Sequence, residues 1–275
     1  MTKTASDVPR RTLPDSLWAA TAEPAPVTQP LDTDRQVDVA IVGAGFTGLR
    51  TALTLAGAGA QVVVLDAGDI GWGASGRNGG QVNPIGHEAP EVIRQRWRSS
   101  HDEKFAERYL SMTIQSADEL FSLVREHGIV CDADQGGWIR AVHGPAALPA
   151  FEKLYQGWLA AGADLRWIDR AQLQEISGCH CYRAGWIARQ GGSVQPLSYA
   201  RGLAAAALAA GAGIHTHTEV SALKPSAVGW TLVTDRGNVS AKQVIVGTNG
   251  YTDRLVPGLR ESIVPVVSVS RGAMH

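Results

Sequence analysis

Val37-Asp-Val-Ala-Ile-Val42 runs into Gly43-Ala-Gly45-Phe-Thr-Gly48, and Gln61-Val-Val-Val-Leu-Asp66 follows; the reading of this chain turns on these residues. The first apolar run predicts a buried strand. Helical spacing from Phe46 to about Ala56, with Gly57 and Gly59 as stop signals, predicts a helix. The second apolar run predicts another strand. Strand, glycine turn, helix and strand within residues 37–66 make a βαβ unit, because parallel strands require a crossover. The turn itself reads G-x-G-x-x-G. Gly43 permits the tight bend, Gly45 lets backbone approach a diphosphate, and Gly48 allows the helix to sit close to the strand. The helix start offers unpaired N–H groups and the positive end of its dipole to an anion. Asp66, which ends the second strand, is placed to accept hydrogen bonds from ribose hydroxyls. It favours a free 2′-hydroxyl over the 2′-phosphate of NADP, but the turn does not choose between NAD and FAD.

Beyond Asp66 comes Gly71-Trp-Gly-Ala-Ser-Gly-Arg-Asn-Gly-Gly-Gln81, too rich in glycine for a regular helix or strand. Such a segment exposes backbone N–H groups and can lie flat against a ring or a phosphate. A nicotinamide-dependent dehydrogenase has no need of a second glycine loop directly after the acidic strand end.

Further out the pattern changes. Residues 1–36, rich in Pro, Thr, Ala and Asp, predict an irregular N-terminal arm with Trp18 as an anchor. Residues 102–127 carry helical spacing, Gly136–Val142 a strand, Pro145–Ala161 a helix and Leu165–Ile168 a short strand. This α+β block is expected to be inserted into the first domain. A helix from Leu197 to Ala210 and strands at Ile214–Val220, Trp230–Thr234 and Gln243–Val246 return to the earlier style. The expected division is 37–86 with 187–250 for dinucleotide binding, and 87–186 with 251–275 for substrate.

Composition narrows the function. With 275 residues, 44% of them apolar, the chain can bury a real core. Its 25 basic and 26 acidic residues give a net charge of -1, which offers no basic surface for nucleic acid. Three cysteines cannot build a disulfide framework and suit a reducing cytoplasm. No membrane span is expected, since the longest weakly polar stretch, Gly202–Ile214, is short and mostly Ala and Gly. Arg10-Arg11 has no apolar run behind it, so no twin-arginine export signal is expected.

The two glycine segments in this order, with the acidic strand end between them, resemble the D-amino-acid-oxidase-like family of FAD-dependent oxidoreductases, most of all its gamma-glutamylputrescine oxidase branch. Gly191-Gly-Ser-Val-Gln-Pro196, Thr218-Glu-Val220 and Val244-Ile-Val-Gly-Thr-Asn-Gly-Tyr251 resemble later segments of that family. The resemblance implies an α/β fold: a Rossmann-like FAD-binding domain with an inserted α+β substrate domain. It implies noncovalent FAD. Gly43, Gly45, Phe46, Thr47 and Gly48 would meet the pyrophosphate, Asp66 and Ala67 the adenosine ribose, and Val220 the adenine through its backbone. Ser75, Arg77, Asn78, Gly79, Gly80 and Gln81 would line the pyrophosphate and the isoalloxazine edge, with Thr248 and Asn249 near the dinucleotide. Some relatives attach flavin through a histidine in the second cluster; none occurs between Gly71 and Gln81. The implied reaction is oxidation of a primary or secondary amine or amino acid to an imine, by hydride transfer to the flavin.

Family chains are longer, and their final third returns to the flavin. The chain is therefore expected to be C-terminally incomplete, with Ile263–Val267 starting a substrate-domain strand and a partner chain as one source of the remainder. The alternatives are an NAD-dependent dehydrogenase and a noncatalytic FAD-binding fragment. No catalytic residue stands out, although Arg77 is the best electrostatic candidate. Cys179-His180-Cys181 lacks further cysteines at ligand spacing, so no metal site is expected. His215 and His217 would share one strand face. Trp138, Trp158, Trp167 and Trp186 are expected to pack the inserted block.

Overall fold

The computed structural model describes residues 11–98, 103–227 and 229–264. In chain order its first half contains α1 (Leu17–Thr21), β1 (Arg35–Val42), α2 (Phe46–Gly57), β2 (Val62–Leu65), β3 (Gln81–Val82), α3 (Pro90–Arg98), α4 (Glu103–Glu126) and β4 (Trp138–Val142). There follow α5 (Leu148–Ala160), β5 (Leu165–Ile168), α6 (Arg170–Ser177), β6 (Ala184–Ala188), β7 (Gly192–Ser193), α7 (Pro196–Ala209), β8 (Gly213–His215), β9 (Ala222–Ser226), β10 (Gly229–Val233) and β11 (Asn238–Val246).

The chain forms two compact units. One takes the described residues up to Gly79, Ile129–Cys131, and those from Gln195 onward; the other takes Gly80–Gly128 and Asp132–Val194. The units thus divide at Gly79 and Val194, not at residues 86 and 186, and residues 251–264 join the first unit.

The first unit is built on a six-stranded sheet in the order β8-β2-β1-β11-β10-β9. The four strands from β8 to β11 are parallel, and β10 and β9 extend the sheet in antiparallel fashion. Residues 39–42 and 62–65 are buried without alternation, the pattern of strands covered on both faces. Ile41 faces α2, where it approaches Gly48. Ala40, Val42, Val63 and Leu65 belong to the opposite cluster with Leu31, Leu232 and Val239. Helices α2 and α7 pack against each other.

In the second unit, β4-β6-β5 form an antiparallel sheet and β3 pairs with β7. Its core is aromatic: Trp158 and Trp186 are fully buried, and Trp138, Trp167 and Tyr155 pack against them. Phe151 stacks on Trp186 with ring centroids 4.1 Å apart.

Several expectations are corrected. The strand expected over Ile214–Val220 ends at His215, because the chain bends at His217, whose φ of 50° is left-handed. His215 and His217 therefore share no strand face; His215 Nδ1 lies 3.0 Å from Gln29 O and His217 Nε2 3.0 Å from Asp69 Oδ1. The helix expected from Pro145 opens with a tighter 3₁₀ turn, Pro145–Ala147, before α5. The irregular arm contains α1, started by the Ser16 hydroxyl accepting the Ala19 N–H. Trp18 does anchor it: its indole N–H donates to Asn78 O at 2.8 Å, and Gln195 Nε2 donates to Trp18 O. Helices α3 and α6 and strands β6 and β9 are additions. Ile263 and Val264 are not in a strand, and the remainder of that expected strand lies outside the described residues. Among the described residues, no helix is long and apolar enough to cross a membrane.

Candidate dinucleotide-binding groove

A groove of about 500 Å³ opens at the carboxyl ends of β1 and β2, within the first unit. This is the place where open α/β sheets receive ligands, and the size falls within the range of small-molecule sites. Its floor is the glycine turn. Gly43 adopts φ 111°, and a Cβ there would lie 2.9 Å from the Gly247 carbonyl oxygen. On Gly48 a Cβ would come within 1.9 Å of the Gly43 oxygen, so any side chain would force α2 away from the strand. Gly45 is the N-cap of α2 and has no side chain with which to cap it. Ser75, from the second glycine segment, supplies that cap: its hydroxyl accepts the Phe46 N–H at 2.9 Å. Gly71 N–H donates to Ala44 O at 3.0 Å, so the two glycine segments are tied at two points.

Asp66 has a role that the sequence does not announce. Its carboxylate accepts the Ala44 N–H at 2.6 Å and the Gly68 N–H at 2.8 Å, locking the glycine turn to the loop after β2. Burial raises its pKa above the ordinary carboxylate value, opposed by those two N–H groups and then by Arg11 and His217. One N–H occupies each oxygen, which leaves acceptor capacity on both for a ribose hydroxyl.

Gly43, Gly45, Phe46, Thr47, Asp66, Ala67, Ser75, Val220, Thr248 and Asn249 all line the groove, and Gly48 lies beneath it. Arg77, Asn78 and Gly79 do not line it. The Arg77 guanidinium stacks 4.6 Å from the Trp72 ring centroid, and its Nε donates to Trp72 O. Asn78 Nδ2 donates to the carbonyls of Ala74 and Ser75, holding the short turn that carries Ser75. Both residues shape the loop from behind. Gly80 and Gln81 fall in the second unit, where Gln81 pairs with Ser193.

Sequence reasoning missed Arg11, Trp72, Glu219 and Tyr251 as lining residues. Arg11 pairs with Glu219 at 3.1 Å, and its backbone oxygen accepts the Asp69 N–H. Trp72 donates to Thr12 O and meets Tyr251 edge-on, with centroids 5.5 Å apart. Trp72, Glu219 and Tyr251 stand inside segments that the sequence singles out. Arg11 lies about 30 residues before the glycine turn, and nothing local signals it.

The residues present suit an extended dinucleotide. Backbone at Gly43–Thr47 and the start of α2 are right for a diphosphate, and the Asp66 carboxylate for a ribose. The glycine positions 43 and 48 tolerate no side chain, as a cradle formed by close-packed backbone requires.

Comparison with known proteins agrees. Residues 38–273 match the family described as FAD dependent oxidoreductase (DAO), and the chain belongs to that family. It is 32% identical over 253 residues to the gamma-glutamylputrescine oxidoreductase of Escherichia coli, covering 91% of this chain and 58% of that protein. The probable oxidoreductase OrdL of Rhizobium meliloti is 28% identical, with coverage of 92% and 58%. The chain thus spans less than two thirds of the curated relatives it matches. Among solved structures, glycine oxidase from Geobacillus kaustophilus superposes with a TM-score of 0.65 at 23% identity, over 84% of this chain and 59% of that one. L-amino acid deaminase from Proteus vulgaris gives 0.66 at 20%, with coverage of 84% and 51%. These two likenesses establish the fold.

Proposed function

We propose that the groove of the first unit holds FAD without a covalent bond, in an enzyme that oxidises an amine or amino acid at the carbon beside nitrogen. One observation carries this reading: four separated stretches, Gly43–Thr47, Asp66–Ser75, Thr218–Ser221 and Gly247–Leu255, converge on one groove. When bound, the flavin supplies the hydride acceptor that turns the amine into an imine. The chain's own residues bind and orient. The start of α2 neutralises the diphosphate, Asp66 fixes the adenosine ribose, and the backbone of Val220 borders the adenine. Ser75 keeps the α2 terminus in place by holding the Phe46 N–H. The absence of histidine between Gly71 and Gln81 favours a noncovalent flavin. The names of the relatives, gamma-glutamylputrescine oxidoreductase and glycine oxidase, support a nitrogen-bearing substrate.

An NAD-dependent dehydrogenase would use the same turn. The tie between Ser75 and Phe46 favours FAD, since it builds the second glycine segment into the nucleotide floor. Purification separates the two: a yellow protein that releases FAD on denaturation supports the proposal, and a colourless protein that binds NADH overturns it. In Gly45→Asp a carboxylate would face the diphosphate, and flavin content should fall about tenfold or more, equivalent to ~1.4 kcal/mol of binding. Unchanged flavin content in a folded Gly45→Asp protein would refute the groove assignment.

A further inference from the structure

Cys179-His180-Cys181 occupies the bend between α6 and β6, in the second unit. Helix α6 ends on Gly178 in the left-handed conformation, φ 66°, with the Gly178 N–H donating to Gln174 O. The reversal carries the next residues off the helix axis and sets the two cysteines side by side, with Sγ atoms 2.8 Å apart. The Cys181 N–H points at Cys179 Sγ at 3.5 Å, and the Cys179 N–H is held by Ser177 Oγ at 3.2 Å. Cys179 is half-buried, Cys181 is exposed, and neither is in a disulfide. A disulfide needs about 2.0 Å between sulfurs, so closure asks for a movement under ~1 Å. Among the described residues, no group of three metal-ligating side chains forms.

We propose that Cys179 and Cys181 form a reversible dithiol–disulfide couple that exchanges with small-molecule disulfides. The shared hydrogen bond from Cys181 pulls the Cys179 thiol below its usual range, and the same bond pushes Cys181 up. Cys179 therefore supplies the attacking thiolate and Cys181 the resolving thiol. The Cys179 thiolate attacks one sulfur of a disulfide RSSR; a mixed disulfide forms and one RS⁻ leaves and takes up the Cys179 proton. Cys181 then attacks Cys179 Sγ, the mixed bond breaks, and the second R group leaves as RSH with the Cys181 proton. The two cysteines lose two electrons, and RSSR gains them as two RSH.

The test is incubation of the full chain with oxidised glutathione, followed by thiol titration after denaturation and by peptide mass analysis. The expected result is a loss of two thiols per chain, a product lighter by two hydrogens within the peptide carrying residues 179–181, and full recovery with dithiothreitol. In Cys181→Ser the reaction should stop at a glutathione adduct on Cys179. In Cys179→Ser adduct formation should slow about tenfold. An unchanged thiol titre, a stable glutathione adduct in the parent chain, or a bridge that includes Cys131 overturns the proposal.

Discussion

The first unit buries Val, Ile, Leu and Ala in strands covered on both faces and places its glycines where backbone must approach backbone. The second buries Trp158, Trp186 and Phe151 around a small antiparallel sheet. In the first, the groove is shaped by main-chain geometry: its floor is N–H groups and glycine Cα atoms, and two of its polar side chains, Asp66 and Ser75, hold that main chain in place. In the second, organisation resides in large side chains that meet across distant segments. One design is sensitive to an added methyl group and the other to a removed ring.

Removing a ring should have the largest effect. Trp186→Ala takes away the partner of Phe151 and opens a cavity at a fully buried position. A destabilisation of ~3–5 kcal/mol is expected in urea unfolding. A loss below about 1 kcal/mol would break the comparison, because the aromatic stack would then not be what holds that unit.

Asp66→Asn probes main-chain geometry and should cost ~1–3 kcal/mol, since an amide nitrogen would face one of the two N–H donors. Its pH dependence sharpens the contrast. Burial holds the Asp66 carboxyl above its ordinary 3.8, so the folded state keeps this proton to a higher pH than the unfolded chain does. The associated stability is complete below pH 3.8 and is lost as pH rises through the raised value. The deficit of Asp66→Asn relative to the parent should therefore be widest below pH 3.8 and narrow as pH rises. Glu107 behaves oppositely: its hydrogen bond to Arg94 depresses it below 4.5, and the stability it adds is lost as pH falls. Urea melts of Asp66→Asn and Glu107→Gln at acid and neutral pH would show whether the two slopes have opposite sign.

The smallest effect belongs to Ser75→Ala. It uncaps the Phe46 N–H and should lower stability by ~1 kcal/mol. Flavin affinity should weaken with it, because the α2 terminus loses its fixed position. Calorimetric titration with FAD measures the change, and an unchanged affinity would detach the second glycine segment from the groove.

The legibility of the sequence follows the same contrast. The strand over Val37–Val42, the glycine turn, α2, β2 and Leu165–Ile168 are local patterns, and the structure forms them within a residue or two of expectation. Ten of the named groove residues line the groove for the same reason: their signals are adjacent in the chain. Arg77, which the resemblance sets against the dinucleotide, does not line this groove, and its stacking on Trp72 depends on a loop shape that spacing does not encode. Helix α6 was missed although its capping box, Asp169 with Gln172, stands in the sequence; the helix is short and its buried face is little more than Leu173. The left-handed bend at His217 ended an expected strand, and no glycine marked it.

Strand β1 sits at the centre of its sheet, with β2 on one side and β11 on the other. Its partner on the β11 side, Asn238–Val246, is about 200 residues further along the chain. A ribosome adding ~5–20 residues each second therefore leaves one edge of the nascent β1 without its native partner for ~10–40 s. During that interval a row of N–H and C=O groups on an apolar strand stands open to foreign chains. Synthesis of this protein thus carries a built-in period of vulnerability, and its yield in cells should track the supply of chaperones that cover nascent strands.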